Sequence, residues 1–164
     1  MATITLDGNT KVTWVDAADG IVDINAPTVA ELGAGIDLQD SITPDGLSVT
    51  PSTGSIDNSN LGSTFNTNQV GRRSFASSLK IQRTSAALAS DPIATALVYG
   101  AEGFLVIRKG LGKTTAYAAS QDVKVYPMAC GEPSEPTSAA EQLWTYEVPM
   151  MVTDDPSTTA TVAA

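Results

Sequence analysis

The chain has 164 residues, of which 42% are hydrophobic, 5% aromatic and 16% charged, with a formal net charge of −9. That length suits one domain with a single modest core, and the acidic balance repels free nucleic acid rather than capturing it. With no histidine and one cysteine, Cys130, the chain lacks the commonest general base and any intrachain disulfide, which fits assembly in a reducing cytoplasm.

Alternation of apolar and polar residues predicts strands at residues 11–15 and, after a turn at Asp19-Gly20, at 21–24. Thr28 and Glu31 have capping-box spacing, with Pro27 before them and Gly33 and Gly35 after, so one or two helical turns are expected. Short alternating runs predict further strands at 36–39 and 47–50. Residues 50–68 are polar and turn-rich, with Pro51, Gly54, Gly62 and the run Asp57-Asn58-Ser59-Asn60. Inside a short domain such a stretch is expected to project as a loop or hairpin arm. After Gly71, Phe75, Ser77, Leu79, Ile81 and Arg83 share one strand face, with Ala76, Ser78, Lys80 and Gln82 on the other.

Residues 90–99 predict a helix capped by Asp91, opened by Pro92 and ended by Gly100, with Ile93, Ala96 and Leu97 turned to the sheet. The apolar run 104–107 predicts a strand covered on both faces. The segment Lys109-Gly110-Leu111-Gly112-Lys113-Thr114-Thr115 imitates a phosphate loop, but Ile107 stands where the first glycine is needed and a strand follows instead of a helix. A glycine-rich turn between two strands is expected there. Val123 and Val125 alternate with Asp122 and Lys124 in the next strand, and residues 132–136 form a turn with two prolines. The last strand places Trp144, Tyr146, Val148, Met150 and Val152 on one face, and both Trp14 and Trp144 are expected in the core. Residues 153–164 are small and polar, which predicts a flexible or partner-docked tail. The expected fold is mainly β, a sandwich or barrel with one flanking helix and a short helical turn. Residues 1–9 would form an arm, 10–152 the domain and 153–164 the tail.

Carboxylates such as Asp37 with Asp40 and Asp154 with Asp155 fall at turns and in the tail, where Asp serves backbone hydrogen bonding. The serines have no histidine partner and no Gly-x-Ser-x-Gly pattern, and Cys130 has no base to activate it. No catalytic, cofactor or metal site is expected. No apolar stretch is long enough to span a membrane, and residues 1–9 lack the pattern of a secretory signal.

Charge is distributed in blocks. Residues 1–71 carry nine acids and one base, Lys11; residues 72–124 carry eight bases and three acids; residues 125–164 carry six acids and no base. This is either ordinary variation on a solvated surface or an acidic–basic–acidic pattern that sets the register of like subunits. Arg72 and Arg73, next to the polar segment, are expected to pair with an acidic loop of a neighbouring subunit.

The run Ile24-Asn25-Ala26-Pro27-Thr28-Val29-Ala30-Glu31-Leu32-Gly33-Ala34-Gly35-Ile36-Asp37-Leu38 resembles an early segment of the major tail subunits of long, non-contractile-tailed actinobacteriophages. Those proteins carry an APT-x-AEL-x-AG-x-DL stretch, then a GL or GW strand, a polar segment and a Gly-Arg pair before an alternating strand. Gly46-Leu47, residues 50–68 and Gly71-Arg72 occupy those places here, and Gly103–Gly110 and a closing W-x-Y-x-V at Trp144, Tyr146 and Val148 are also similar. The resemblance covers roughly residues 10–152. It implies a β-sandwich forming rings, commonly hexameric, that stack into a hollow tube with a continuous β-barrel wall. The tube would belong to the virion tail, be built in the host cytoplasm and conduct DNA to the host without specific binding. Tape measure, tail terminator and tail tip proteins would be partners, with some acids of the strands lining the lumen. The loop at 50–68 and the two termini would bridge subunits, with Arg72, Arg73, Asp57, Asn58, Asn60 and Phe65 as candidate interface residues. Alternatives are another virion protein, such as a tail terminator or head decoration protein, and an adhesin-like β-sandwich that binds a ligand.

Overall fold

A computed structural model describes residues 3–135 and 139–164; Met1 and Ala2 of the expected arm and Pro136 of the expected proline turn lie outside the described residues. In chain order the strands are β1 (Thr10–Asp16), β2 (Ile36–Asp37), β3 (Ile42–Asp57), β4 (Asn68–Gln82), β5 (Glu102–Lys109), β6 (Asp122–Cys130), β7 (Thr145–Val152) and β8 (Ser157–Thr161). Two short helices, α1 (Val29–Gly33) and α2 (Pro92–Ala96), interrupt them. The fold is mainly β, as expected.

The strands form one antiparallel sheet in the order β2-β1-β5-β6-β7-β4-β3, with β8 beside β6. β2 and β3 stand at opposite ends of that order, yet only residues 38–41 separate them in sequence. The sheet therefore has to curl until its ends meet, as a barrel does. Backbone bonds run along the seam: the Leu38 N–H donates to the Val12 carbonyl at 2.8 Å and the Gln82 N–H to the Ser41 carbonyl at 2.7 Å.

Inside the curl, Trp14, Leu79, Ile81, Leu105, Tyr126, Met128, Val148 and Met150 make one core, plugged by Ile93, Ala94 and Leu97 of the α2 segment. On the opposite face of β1, β5 and β6, a second cluster gathers Val15, Val106, Val123 and Val125 under Leu32, Tyr117, Ala160 and Val162. The apolar run of β5 is thus covered on both faces, which is why it reads as continuous hydrophobicity. Gly103 makes room for the indole, since a Cβ there would lie 2.6 Å from Trp14 Cζ2.

Local signals explain α1: the Glu31 N–H donates to Thr28 Oγ1 at 3.3 Å and the Thr28 N–H to Glu31 Oε2 at 2.7 Å, a complete capping box. At α2, Asp91 accepts from the Ala94 N–H at 3.1 Å with Pro92 in the first turn. This helix is shorter than expected. It stops at Ala96 because Leu97 turns fully into the core, and Gly100 donates instead to the Cys130 carbonyl at 2.9 Å.

Other expectations are corrected. Residues 21–24 form no strand; the Val22 N–H is taken by Glu31 Oε1 at 3.1 Å, tying this segment to α1 rather than to a neighbouring strand. The strand at 36–39 shrinks to β2, and 47–50 is part of the much longer β3. Trp14 is in the core but Trp144 is half exposed, stacked under Arg83 at 4.9 Å and donating to Glu135 Oε2 at 2.9 Å. The tail expected at 153–164 is instead β8, anchored by buried Ala160 and Val162, small apolar side chains that complete the second cluster.

Candidate self-assembly surface

β3 and β4 pair along nearly their whole length, from Leu47 opposite Leu79 to Asp57 opposite Asn68. β7 accompanies β4 only over Ala76–Gln82. Beyond Ala76 the two strands continue as a free hairpin arm, closed by residues 58–67. Nearly every residue from Pro51 to Val70 is exposed, including Ile56 (55%), Phe65 (76%), Val70 (84%) and a fully exposed Leu61. A two-stranded ribbon with water on both faces is marginal by itself, and β3 is a long edge strand of the sheet.

The polar segment read from sequence is therefore a hairpin arm with a structured tip. Asn58 donates its N–H to the Thr67 carbonyl at 3.1 Å, Asp57 Oδ1 accepts the Ser59 N–H at 2.8 Å, and Asn60 Oδ1 accepts the Gly62 N–H at 3.0 Å. These are local side-chain turns of the kind Asp and Asn favour. Hydrogen bonds from the Ser59 side chain and backbone hold the Asp57 carboxyl below its ordinary pKa, so it is ionised at neutral pH. Midway along the arm the register slips by one residue between Thr53/Arg73 and Ser55/Val70. Gly71 permits this bulge, because a Cβ there would sit 2.9 Å from the Gly54 carbonyl oxygen.

All six candidate interface residues fall on this arm. Asp57 ends β3, Asn58, Asn60 and Phe65 lie in the tip, Arg72 lies in the bulge and Arg73 beside it. Arg73 makes an ion pair with Asp155 of the same chain, so the acidic partner expected on a neighbour is present within the subunit. Lys113 pairs likewise with Asp40 and Lys11 with Asp37 at 3.0 Å. The Arg73–Asp155 and Lys113–Asp40 pairs thus join blocks of opposite charge inside one fold, while Lys11–Asp37 lies within the first block.

Outside the barrel, β3, β4 and β7 present an uncovered face. Ser48, Thr50 and Ser52 stand opposite Ser78, Ala76 and Ser74, and Ala76 and Ser78 stand opposite Met151 and Pro149. Where β7 flanks β4 the charges are one base and one acid directly opposed, Lys80 and Glu147, and exposed Arg72 follows Ser74 on the same alternation of β4. The alternation of Ser and Thr on both strands carried this signal, but its partners are legible only once the register is known.

Elsewhere the body shows structural chemistry. The Arg108 side chain is 1% exposed and donates to the Gly112, Thr115 and Ala116 carbonyls and to Gln121 Oε1 at 2.9–3.2 Å, which moulds the glycine-rich connection between β5 and β6. Cys130 is buried, and burial pushes its thiol up to about 11, away from the reactive thiolate. Among the described residues no three His, Cys, Asp or Glu side chains cluster to hold a metal ion.

A family model described as "Phage tail tube protein" matches residues 1–164. A search of curated proteins returns no match. Among solved structures, the chain is similar to one in "Cryo-EM structure of the anti-feeding prophage (AFP) baseplate, 6-fold symmetrised", with a TM-score of 0.55 at 13% identity over 94% of this chain and 95% of that one. At that identity the likeness speaks for the fold.

Proposed function

The chain belongs to the phage tail tube protein family, and from that premise we propose that it polymerises as stacked rings into the tube through which DNA leaves the virion. The observation that carries this reading is the hairpin arm, solvent-exposed on both faces and tipped with Leu61 and Phe65. Exposed apolar groups on a marginal ribbon are a surface that gains stability by docking. Six subunits to the ring is supported by the six-fold symmetrised assembly that contains the structural neighbour. The motif order around Pro27–Leu38, Gly46-Leu47 and Gly71-Arg72 supports a long, non-contractile tail of the actinobacteriophage type. Residues 3–6, exposed and without regular structure, serve as a second bridging arm. Tape measure, terminator and tail tip proteins would meet the same ring faces. Assembly takes place in the host cytoplasm and the product resides in the virion tail.

The role is structural rather than catalytic: the chain contains no histidine and its single thiol is buried. We assign the channel wall to the uncovered face of β3, β4 and β7. Its side chains are mostly short hydroxyls and methyls, with Lys80 set against Glu147 and Arg72 standing apart from Lys80 toward the arm. Few bases are therefore there to grip phosphates, and gripping would act as a salt-dependent brake on a moving duplex. Acidic lining is then confined to Glu147, set against Lys80.

Pro51 and Phe75 are directly opposed, so residues 52–74 can be excised and replaced by an Asn-Gly turn that keeps the strand register. The shortened protein is expected to fold, by circular dichroism and cooperative thermal unfolding, and to stay small in sedimentation velocity where the full chain forms large assemblies. Polymers from the shortened chain would refute a role for the arm.

A further inference from the structure

The barrel seam is incomplete at one end. β2 pairs with β1 only at Thr13 and Trp14. The first residues of β1 thus have no strand neighbour on that side, and the Val12 N–H turns to the Gln39 side chain at 3.2 Å. The gap between this half of β1 and the start of β3 is a groove of about 630 Å³ whose apolar lining is Leu6, Val12, Ile42, Pro44 and Leu47. Thr43–Gly46 are looped out of the pairing between the Ile42/Ile81 and Leu47/Leu79 pairs at this end of β3. Its two lysines, Lys109 and Lys113, are matched in number by Asp7 and Asp40, so the groove has no net charge and its apolar floor is open to an uncharged occupant.

The groove lies at the beginning of β3 and the hairpin tip at its end. Ten residues of extended strand between Leu47 and Asp57 span roughly 30 Å at ~3.3 Å per residue. A tip therefore cannot reach the groove of its own chain. A knob at one end of a strand and a neutral apolar socket at the other form a heterologous pair, which propagates without closing when copies are related along the strand direction. Beyond Asp57 the tip is uncharged through Gly71, and it carries a fully exposed Leu61 and a largely exposed Phe65. Resting on the assembly reading above, we infer that the socket for the hairpin tip is this seam groove on a second copy in the next ring. Leu61 and Phe65 would insert against Ile42, Pro44 and Leu47 of that copy, so that each contact also plugs the partner's open seam.

Disulfide trapping tests this. Two double variants, Phe65→Cys with Thr43→Cys and Leu61→Cys with Leu47→Cys, each put one thiol on the tip and one in the groove, while Cys130 stays buried. Assembled protein treated with copper-phenanthroline is run on a denaturing gel without reductant, and the wild type is imaged in parallel by negative-stain microscopy. The expected result is a covalent ladder extending beyond the dimer in at least one pair, reversed by reductant, with single-cysteine controls stopping at dimers. Tubes from both double variants without a ladder overturn the groove as socket while leaving the tube reading intact. A wild type that builds no tubes overturns the tube reading, and the inference with it.

Discussion

In the lower half of the β3–β4 hairpin, Leu79 and Ile81 are wholly buried, Leu47 packs beside them, and β7 seals the flank. In the upper half the same two strands carry Ile56 and Val70 into water with no third strand beside them. Backbone pairing is the same in both halves; what differs is whether side chains find a core. The lower half serves the subunit's stability and, on the assembly we propose, the upper half serves its contacts, so changes in the two should separate cleanly in measurement.

The largest effect on the monomer is expected in the barrel. Trp14→Ala opens a cavity beside Gly103 and should cost about 3–5 kcal/mol in urea denaturation. Asp91→Ala removes the cap of α2 and leaves Arg83, 3.4 Å away, without its carboxylate. We expect about 3 kcal/mol, the low end for a broken buried pair because Arg83 keeps its bonds to the Ser85 carbonyl. Burial opposes ionisation of Asp91, but the Ala94 and Thr84 N–H groups and Arg83 outweigh it and the folded pKa lies below 3.8. Because the folded value is depressed, this contribution is full above 3.8 and is lost as pH falls through the lower folded value. Acid titration of Asp91→Ala should accordingly show a shallower loss of stability than the wild type below pH 3.8.

On the arm the expected effects on folding are small. Leu61→Ser with Phe65→Ser should change monomer stability by no more than about 0.5 kcal/mol while sharply reducing polymer in sedimentation. A large loss of monomer stability would erase the distinction between the two halves. Reversing Arg72 and Arg73 to Glu should impair tube growth and leave circular dichroism unchanged. Arg73→Ala alone breaks only the exposed pair with Asp155 and should cost ~0–1 kcal/mol, less at high salt.

Sequence periodicity made the barrel legible where each residue answers to one rule. The Thr28/Glu31 box, the Asp91-Pro92 cap and the doubly covered β5 were all readable because their causes are local. Long-range competition hid the rest. Ile21 looks like a strand residue, but its neighbour Val22 is held by Glu31. Ser157–Thr161 looks like a solvated tail because a strand of Ser, Thr and Ala shows little hydrophobic contrast, though β6 recruits it. Trp144 looks like core, but its place just before β7 leaves it stacked on Arg83 at the surface. The candidate interface residues were legible as a polar, turn-rich stretch; their arrangement along one arm, with Arg73 turned back to Asp155, depends on a register that sequence does not display.

We propose that a stable barrel uses its exposed arm to build a tube. Negative-stain electron microscopy of the purified, concentrated full-length protein tests it most directly. Long hollow tubes of uniform width are expected, and they should disappear when residues 52–74 are excised. Single closed rings or dispersed monomers from the full-length protein at high concentration would contradict it.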